Sequence, residues 1–384
     1  MTLRRHAVAA DCLFDGATVR AHHAVIVEGE TIAAVIPRQE VPGSVSVKAL
    51  PDGIWLAPGF IDVQVNGGGD VLFNDDPSPE SLAAITAAHR RYGTTSLLPT
   101  LITDCLANMR AANAAVEAAM ARNPSVLGIH FEGPWLSPDK PGIHDPAHIR
   151  PPRREEIELV LVARGGATLV TLAPERVPAG LIARLSGAGL RVSLGHSMAT
   201  YAESKAAISE GLTGFTHLFN AMRPIGAREP GPIVAALETP GAWCGLIVDG
   251  FHVDPAVLRL ALSGSARPML VTDAMPPVGG SRSNFTLQGR DITLKEGRCT
   301  GRDGTLAGAA LDMASAIRNS VSLLEMPLTA ALRAASSEPA RFLGIADRLG
   351  RLSPGYRADM VAIDPGTIEV LESWVAGQTT GSAA

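Results

Sequence analysis

Six side chains able to do acid–base or metal chemistry stand at or just beyond the ends of apolar, strand-like runs in this chain of 384 residues. Glu132 closes "SVLGIHFEG" (125–133), His196 closes "LRVSLGHS" (190–197) and His217 lies within "GFTHLFNA" (214–221). Asp249 lies near the end of "WCGLIVDG" (243–250) with His252 just after it, and Asp273 lies near the end of "PMLVTDAM" (268–275). One carboxylate and two imidazoles on neighbouring strand ends make three ligands with a fourth position left for water, the pattern of an open catalytic zinc site. A metal held that way brings the pKa of its water towards neutrality. Asp273 on the last strand would stand near enough to take the proton. Each residue also has a plainer reading. Glu132 before Gly133-Pro134 resembles a turn carboxylate, His196-Ser197 could cap a helix, and Asp273 could be an N-cap. Their joint placement at strand ends favours the metal reading.

The elements that must hold these groups alternate regularly. "LAPGFIDVQV" (56–65), "TSLLPT" (95–100) and "ATLVTLAPE" (167–175) join the five runs above to give eight strands. Ala-rich helical stretches such as "SPESLAAITAAHRRYG" and "LANMRAANAAVEAAMARN" lie between them. Eight βα units over about 290 residues predict a (β/α)8 TIM-like barrel, in which chemistry collects at the carboxyl ends of the strands. No GxGxxG opens the first βα turn, which counts against a dinucleotide fold. Both ends of the chain are β-rich, with a hairpin expected about Gly29-Glu30. We therefore expect a small β-sandwich domain built from residues 1–52 plus 346–384, beside a catalytic barrel spanning 53–345.

Bulk composition excludes several classes. A net charge of −5 offers no basic excess for nucleic acid or an anionic membrane, so an anionic ligand must be held by a few local Arg or His residues. The amino terminus lacks an apolar signal-peptide core, and no run of about 18 apolar residues predicts a membrane span. The four cysteines have no CxxC spacing, which favours reduced thiols in a cytoplasmic protein. His22-His23, His89 and Arg90-Arg91 read as solvated surface. His130 shares a strand face with Glu132 and could support it from behind. The Gly-, Pro- and Ser-rich "MPPVGGSRSNF" (275–285) reads as a loop able to act as a lid.

"PGFID", "HFEGPWLSPDKPGIHDP", "GHS", "THLFNAM", "DGFHVD" and "LVTDAMPPVGG" together resemble the N-acetylglucosamine-6-phosphate deacetylases of the amidohydrolase superfamily, in order from about residue 52 to 345. That resemblance implies that Glu132, His196 and His217 bind one divalent metal per subunit, zinc first, with Fe2+ or another divalent ion also suited to the set. It implies Asp273 as general base and then general acid, and His144 as the group that polarises the acetamide carbonyl. Asn220 and the Ala221 backbone would contact the sugar phosphate. Arg228 and His252 would hold the 6-phosphate from across the interface of a homodimer. Many amidohydrolases carry an HxH pair at the end of the first strand for a second metal. Here that position reads Gln64-Val65-Asn66, and neutral amides are poor zinc ligands beside imidazole, so the site is expected to be mononuclear. Two competing functions remain: hydrolysis of another N-acyl or cyclic-amide substrate, and a non-catalytic assembly protein.

Overall fold

A computed structural model describes residues 5–163 and 166–379. All eight expected strands form one parallel sheet, in sequence order around a barrel: Phe60–Val65, Thr94–Ile102, Gly128–Glu132, Ala167–Leu172, Arg191–Leu194, Gly214–Phe215, Trp243–Leu246 and Arg267–Leu270. The barrel closes where the last strand's extension meets the first. Asp273 N–H donates to Gln64 O at 3.0 Å, and Val65 bridges Ala274 in parallel. The strands are covered on both faces, which is why they read as nearly continuous apolar runs. The helical stretches fold as expected, for example Pro79–Arg90, whose N-cap Ser78 accepts the Ser81 N–H.

The terminal segments make a second, eight-stranded sheet. Trp55–Pro58 pairs in parallel with Cys12–Leu13 and antiparallel with Met360–Ile363, so the two ends of the chain share one sheet. The hairpin at Gly29-Glu30 is present, with Glu28 opposite Thr31. Val8, Val25, Leu56, Met360 and Trp374 from across this sheet share one buried cluster, so the sheet curls around its own core. The run read as one strand from Leu56 is two strands. They part at Gly59, where a Cβ would lie 2.2 Å from the Thr95 hydroxyl, so the chain passes from sheet to barrel through a position only glycine fits. Residues 1–4 and 380–384 of the expected terminal domain lie outside the described residues.

Sequence patterning missed one element. After the eighth strand comes a four-stranded antiparallel sheet, Asn284–Leu287, Arg290–Lys295, Arg298–Gly301 and Leu306–Ala309. Helices Met313–Leu324, Leu328–Ala334 and Ser337–Leu343 then return the chain to the terminal sheet. No described helix is long and apolar enough to cross a membrane.

Candidate active site

At the carboxyl end of the barrel the third, fifth and sixth strands deliver Glu132, His196 and His217 to one point. Glu132 Oε1 lies 3.2 Å from His196 Nε2 and 2.9 Å from His217 Nε2, and the two nitrogens are 3.0 Å apart. His196 (φ 48°), His217 (φ 30°) and Asp273 (φ 50°) all sit in the left-handed region, which non-glycine residues enter at a cost and which clusters at functional sites.

The protonation pattern follows from the partners. His196 Nδ1 lies 2.9 Å from Lys140 O, and a carbonyl only accepts, so Nδ1 carries the proton and Nε2 presents its lone pair. That lone pair faces the Glu132 oxygen, itself an acceptor. Three buried donor atoms, spaced about as three ligands of one tetrahedral ion at about 2.0–2.1 Å must be, fit a divalent metal. Burial pushes the Glu132 carboxyl up, yet the His196 and His217 imidazoles beside it outweigh this and hold it well below the usual carboxylate range.

Gln64 and Asn66 answer each other across the site as hydrogen-bond donors. Gln64 Nε2 lies 3.3 Å from Glu132 Oε2 and 3.2 Å from Asp273 Oδ1, while Asn66 Nδ2 donates to Asp273 Oδ1 at 2.6 Å. The Gln64 amide thus bridges the two carboxylates, and Asn66 adds a second donor to Asp273. Burial and the Glu132 charge push the Asp273 carboxyl up to about 6, partly offset by His217, His252 and Asn66.

His144 is buried with its ring centroid 4.3 Å from that of His196. The Thr103 backbone N–H donates to its Nδ1 at 3.3 Å, so the ring proton resides on Nε2, which is left to face the cavity. Burial first, then His196, hold its pKa well below the ordinary imidazole value, so the ring is neutral. His252 is fixed by Asp249, with Nδ1 2.6 Å from Oδ2.

A cavity of about 380 Å³ joins these groups, within the range of small-ligand sites. It is lined by Asn66, Glu132, His144, His196, His217, Asn220, Ala221, His252 and Asp273. Asn220 is held by its own Nδ2 on His217 O at 3.1 Å. Gln64 reaches the site from beneath. His252 lines the cavity of its own chain, its imidazole held by Asp249, three residues before it. Arg228 is exposed and lies outside the lining. The antiparallel sheet contributes Gly304, Thr305, Leu306 and Gly308 to the rim, none of them foreseen. Gly308 (φ 59°) lies so close to the chain after the last strand that a Cβ would meet Asp273 O at 2.8 Å.

Two further expectations need correcting. His89 is fully buried, and its Nε2–H donates to Gly67 O at 2.9 Å. It stands seven residues after Leu82 and four after Ile85, on the helix's buried stripe, a spacing that signals burial despite the two arginines that follow. Arg90 is half-buried and donates to the carbonyls of Ser373 and Gln378. The ring of His89 also explains a glycine: a Cβ on Gly68 would lie 2.9 Å from it. The His130 nitrogens bond Thr100 Oγ1 at 3.0 Å and Thr171 Oγ1 at 2.8 Å. The segment 276–282 is pinned by its carbonyls to Gly69 and Asp70 N–H and by Ser281 and Arg282 N–H to the Asp70 carboxylate.

Beneath the site, fully buried Asp62 accepts the Gln64 N–H at 3.1 Å and the Thr272 hydroxyl at 2.5 Å. Burial raises its carboxyl to about 7 against those hydrogen bonds. The unfolded chain releases this proton near the ordinary value of about 3.9, so its contribution to stability is full below that pH and lost as pH rises through about 7. Asp62→Asn removes the titration. The melting temperature of this variant relative to the parent is expected to climb between about pH 5 and about pH 8. Thermal melts at both pH values check this; a constant difference would contradict it.

Known proteins with similar sequences and structures point the same way. Residues 55–382 match the Amidohydrolase family. The chain is 42% identical over 84% of its length to an N-acetylgalactosamine-6-phosphate deacetylase of Shewanella sp. (strain ANA-3), covering 82% of that protein. It is 38% identical to the N-acetylglucosamine-6-phosphate deacetylase of Haemophilus influenzae, covering 89% of this chain and 91% of that one. The crystal structure of N-acetylglucosamine-6-phosphate deacetylase from Pasteurella multocida superposes with a TM-score of 0.94 at 34% identity, over 98% of this chain and 99% of that one. With its barrel, its Glu-His-His cluster and these matches over most of its length, the chain belongs to the amidohydrolase family.

Proposed function

We propose that this enzyme hydrolyses the acetamide of N-acetylglucosamine 6-phosphate, giving glucosamine 6-phosphate and acetate. The observation that carries the reading is the meeting, in one cavity, of Asp273, the His144 Nε2–H and the Glu132-His196-His217 cluster. The names of the Haemophilus and Pasteurella relatives supply the substrate. The name of the Shewanella relative favours a second reading, the galactosamine epimer.

Glu132, His196 and His217 would hold one divalent ion, with zinc proposed because its tetrahedral preference suits a carboxylate and two imidazoles. When bound, such an ion supplies Lewis acidity and activates water. Asp273 takes a proton from the attacking water and returns it to the nitrogen as the C–N bond breaks, so the sugar leaves as an amine and the acetyl group as acetate. His144 donates from Nε2 to the carbonyl oxygen as negative charge grows there, an interaction typically worth about 3 kcal/mol. Gln64 and Asn66 keep Asp273 aimed without lending a second metal site. Asn220, the Ala221 backbone and His252 would contact the sugar phosphate. Arg228, exposed beyond its own cavity, is proposed to reach the phosphate of a partner's substrate in a homodimer. Four free cysteines support a reducing, cytoplasmic setting. We also propose that residues 1–52 with 346–384, and 53–345, act as the small and the catalytic domain.

The test is turnover of the phosphosugar against N-acetylglucosamine itself. The phosphorylated substrate is expected to be preferred, and equal kcat/KM for both would contradict the reading. Arg228→Ala is expected to raise KM for the phosphosugar by about ten- to a hundred-fold, the loss of one hydrogen bond to a charged group, with no such change for the free sugar. Steady-state kinetics on both substrates check it.

A further inference from the structure

We propose that Gln288 is a positioning residue for His144, which makes the antiparallel sheet after the barrel part of the catalytic apparatus. Gln288 and Gly289 form the two-residue turn between Asn284–Leu287 and Arg290–Lys295, with Leu287 paired to Arg290. Both turn residues have positive φ, 47° and 80°, as a type I′ turn requires. Asn or Asp is favoured at the first position of such a turn, and glutamine is not. A residue that is poor for the backbone invites an account from its side chain.

That side chain spans two segments. Its Nε2 donates to Thr103 O at 2.6 Å, and its Oε1 accepts the Asp145 N–H at 3.0 Å. Thr103 is the residue whose backbone N–H and hydroxyl both hold His144 Nδ1, at 3.3 and 2.8 Å. Asp145 is the next residue after His144. One amide therefore fastens the chain on both sides of the imidazole. The hairpin is seated for this task, because buried Leu287 shares a cluster with Ile102 and Ile143, the residues just before Thr103 and His144. Freed from the clamp, Thr103 and His144 can shift relative to each other, and the Thr103 N–H no longer fixes the proton on Nε2.

This proposal rests on the role given to His144 under the proposed function. Gln288→Asn tests it, since asparagine improves the turn yet falls one methylene short of bridging both segments. The variant is expected to keep the parent's melting temperature, hold KM within about twofold, and lose about ten- to a hundred-fold in kcat, the scale of a small misplacement of a catalytic group. In a His144→Gln background the same change is expected to add no further loss. Unchanged kcat, or an equal loss in that background, would overturn the proposal. Should the parent fail to turn over the phosphosugar, the proposed function falls, and the clamp is then judged from ring-nitrogen NMR shifts of His144 in the zinc-loaded protein. A shift from the Nε2–H pattern in Gln288→Asn supports it; identical spectra overturn it.

Discussion

Asp273→Asn is expected to lower kcat for deacetylation by about a hundred- to ten-thousand-fold, the range for loss of a positioned proton-transfer group. The change is nearly isosteric, and an asparagine Oδ1 can still accept from Asn66 and Gln64, which now bond the Asp273 Oδ1 at 2.6 and 3.2 Å. Substrate and metal binding are therefore expected to persist while proton transfer is lost. Asp273 is placed for both of its proposed steps, because Asn66 and Gln64 fix its carboxylate in the cavity beside the Glu132-His196-His217 cluster. Steady-state kinetics with metal analysis on the same sample separate the effects. A kcat within tenfold of the parent would remove Asp273 from the chemistry; a fall in metal content would make it a ligand instead.

Glu132→Gln attacks the other half of the site. Glu132 Oε1 lies within 3.2 Å of both His196 Nε2 and His217 Nε2, and its carboxylate is the anionic member of the three converging groups. Replacing groups that merely support a ligand costs about 10–100-fold in metal affinity or activity, and loss of a charged ligand is expected to exceed that. Metal content after dialysis is expected to fall well below one per chain, and activity with it. Elemental analysis and kinetics on the dialysed variant check both. Retention of one metal per chain would place the ion elsewhere.

What the sequence disclosed, and what it hid, has a common physical cause. The barrel strands are buried on both faces, so their apolar runs are long, and the chemistry-bearing residues stand out against them at the ends. The set Glu132, His196, His217 and Asp273 was therefore visible from residue type and position alone. Asn220, Ala221 and Arg228 were not, because they lie on loops where polar residues are ordinary; His144 and His252 stood near strand ends, but only the resemblance gave them roles. The four-stranded sheet was missed for the opposite reason. In Arg290–Lys295 only Ile292 is fully buried among charged neighbours, which leaves a weak period-two signal. Gln288, on that sheet's first turn, was hidden with it. His89 was misplaced because the charges after it drew more weight than its register with Leu82 and Ile85.

We propose a single-metal hydrolytic site in which the Gln64 and Asn66 amides stand in place of a second ion. The direct measurement is to strip the protein of metal, confirm that its activity on N-acetylglucosamine 6-phosphate is lost, and follow the return of activity as zinc is added back. A linear rise that breaks at about one equivalent per chain is expected, with acetate and free amine released in equal amounts. A break at two equivalents, or full activity in the stripped protein, would contradict it.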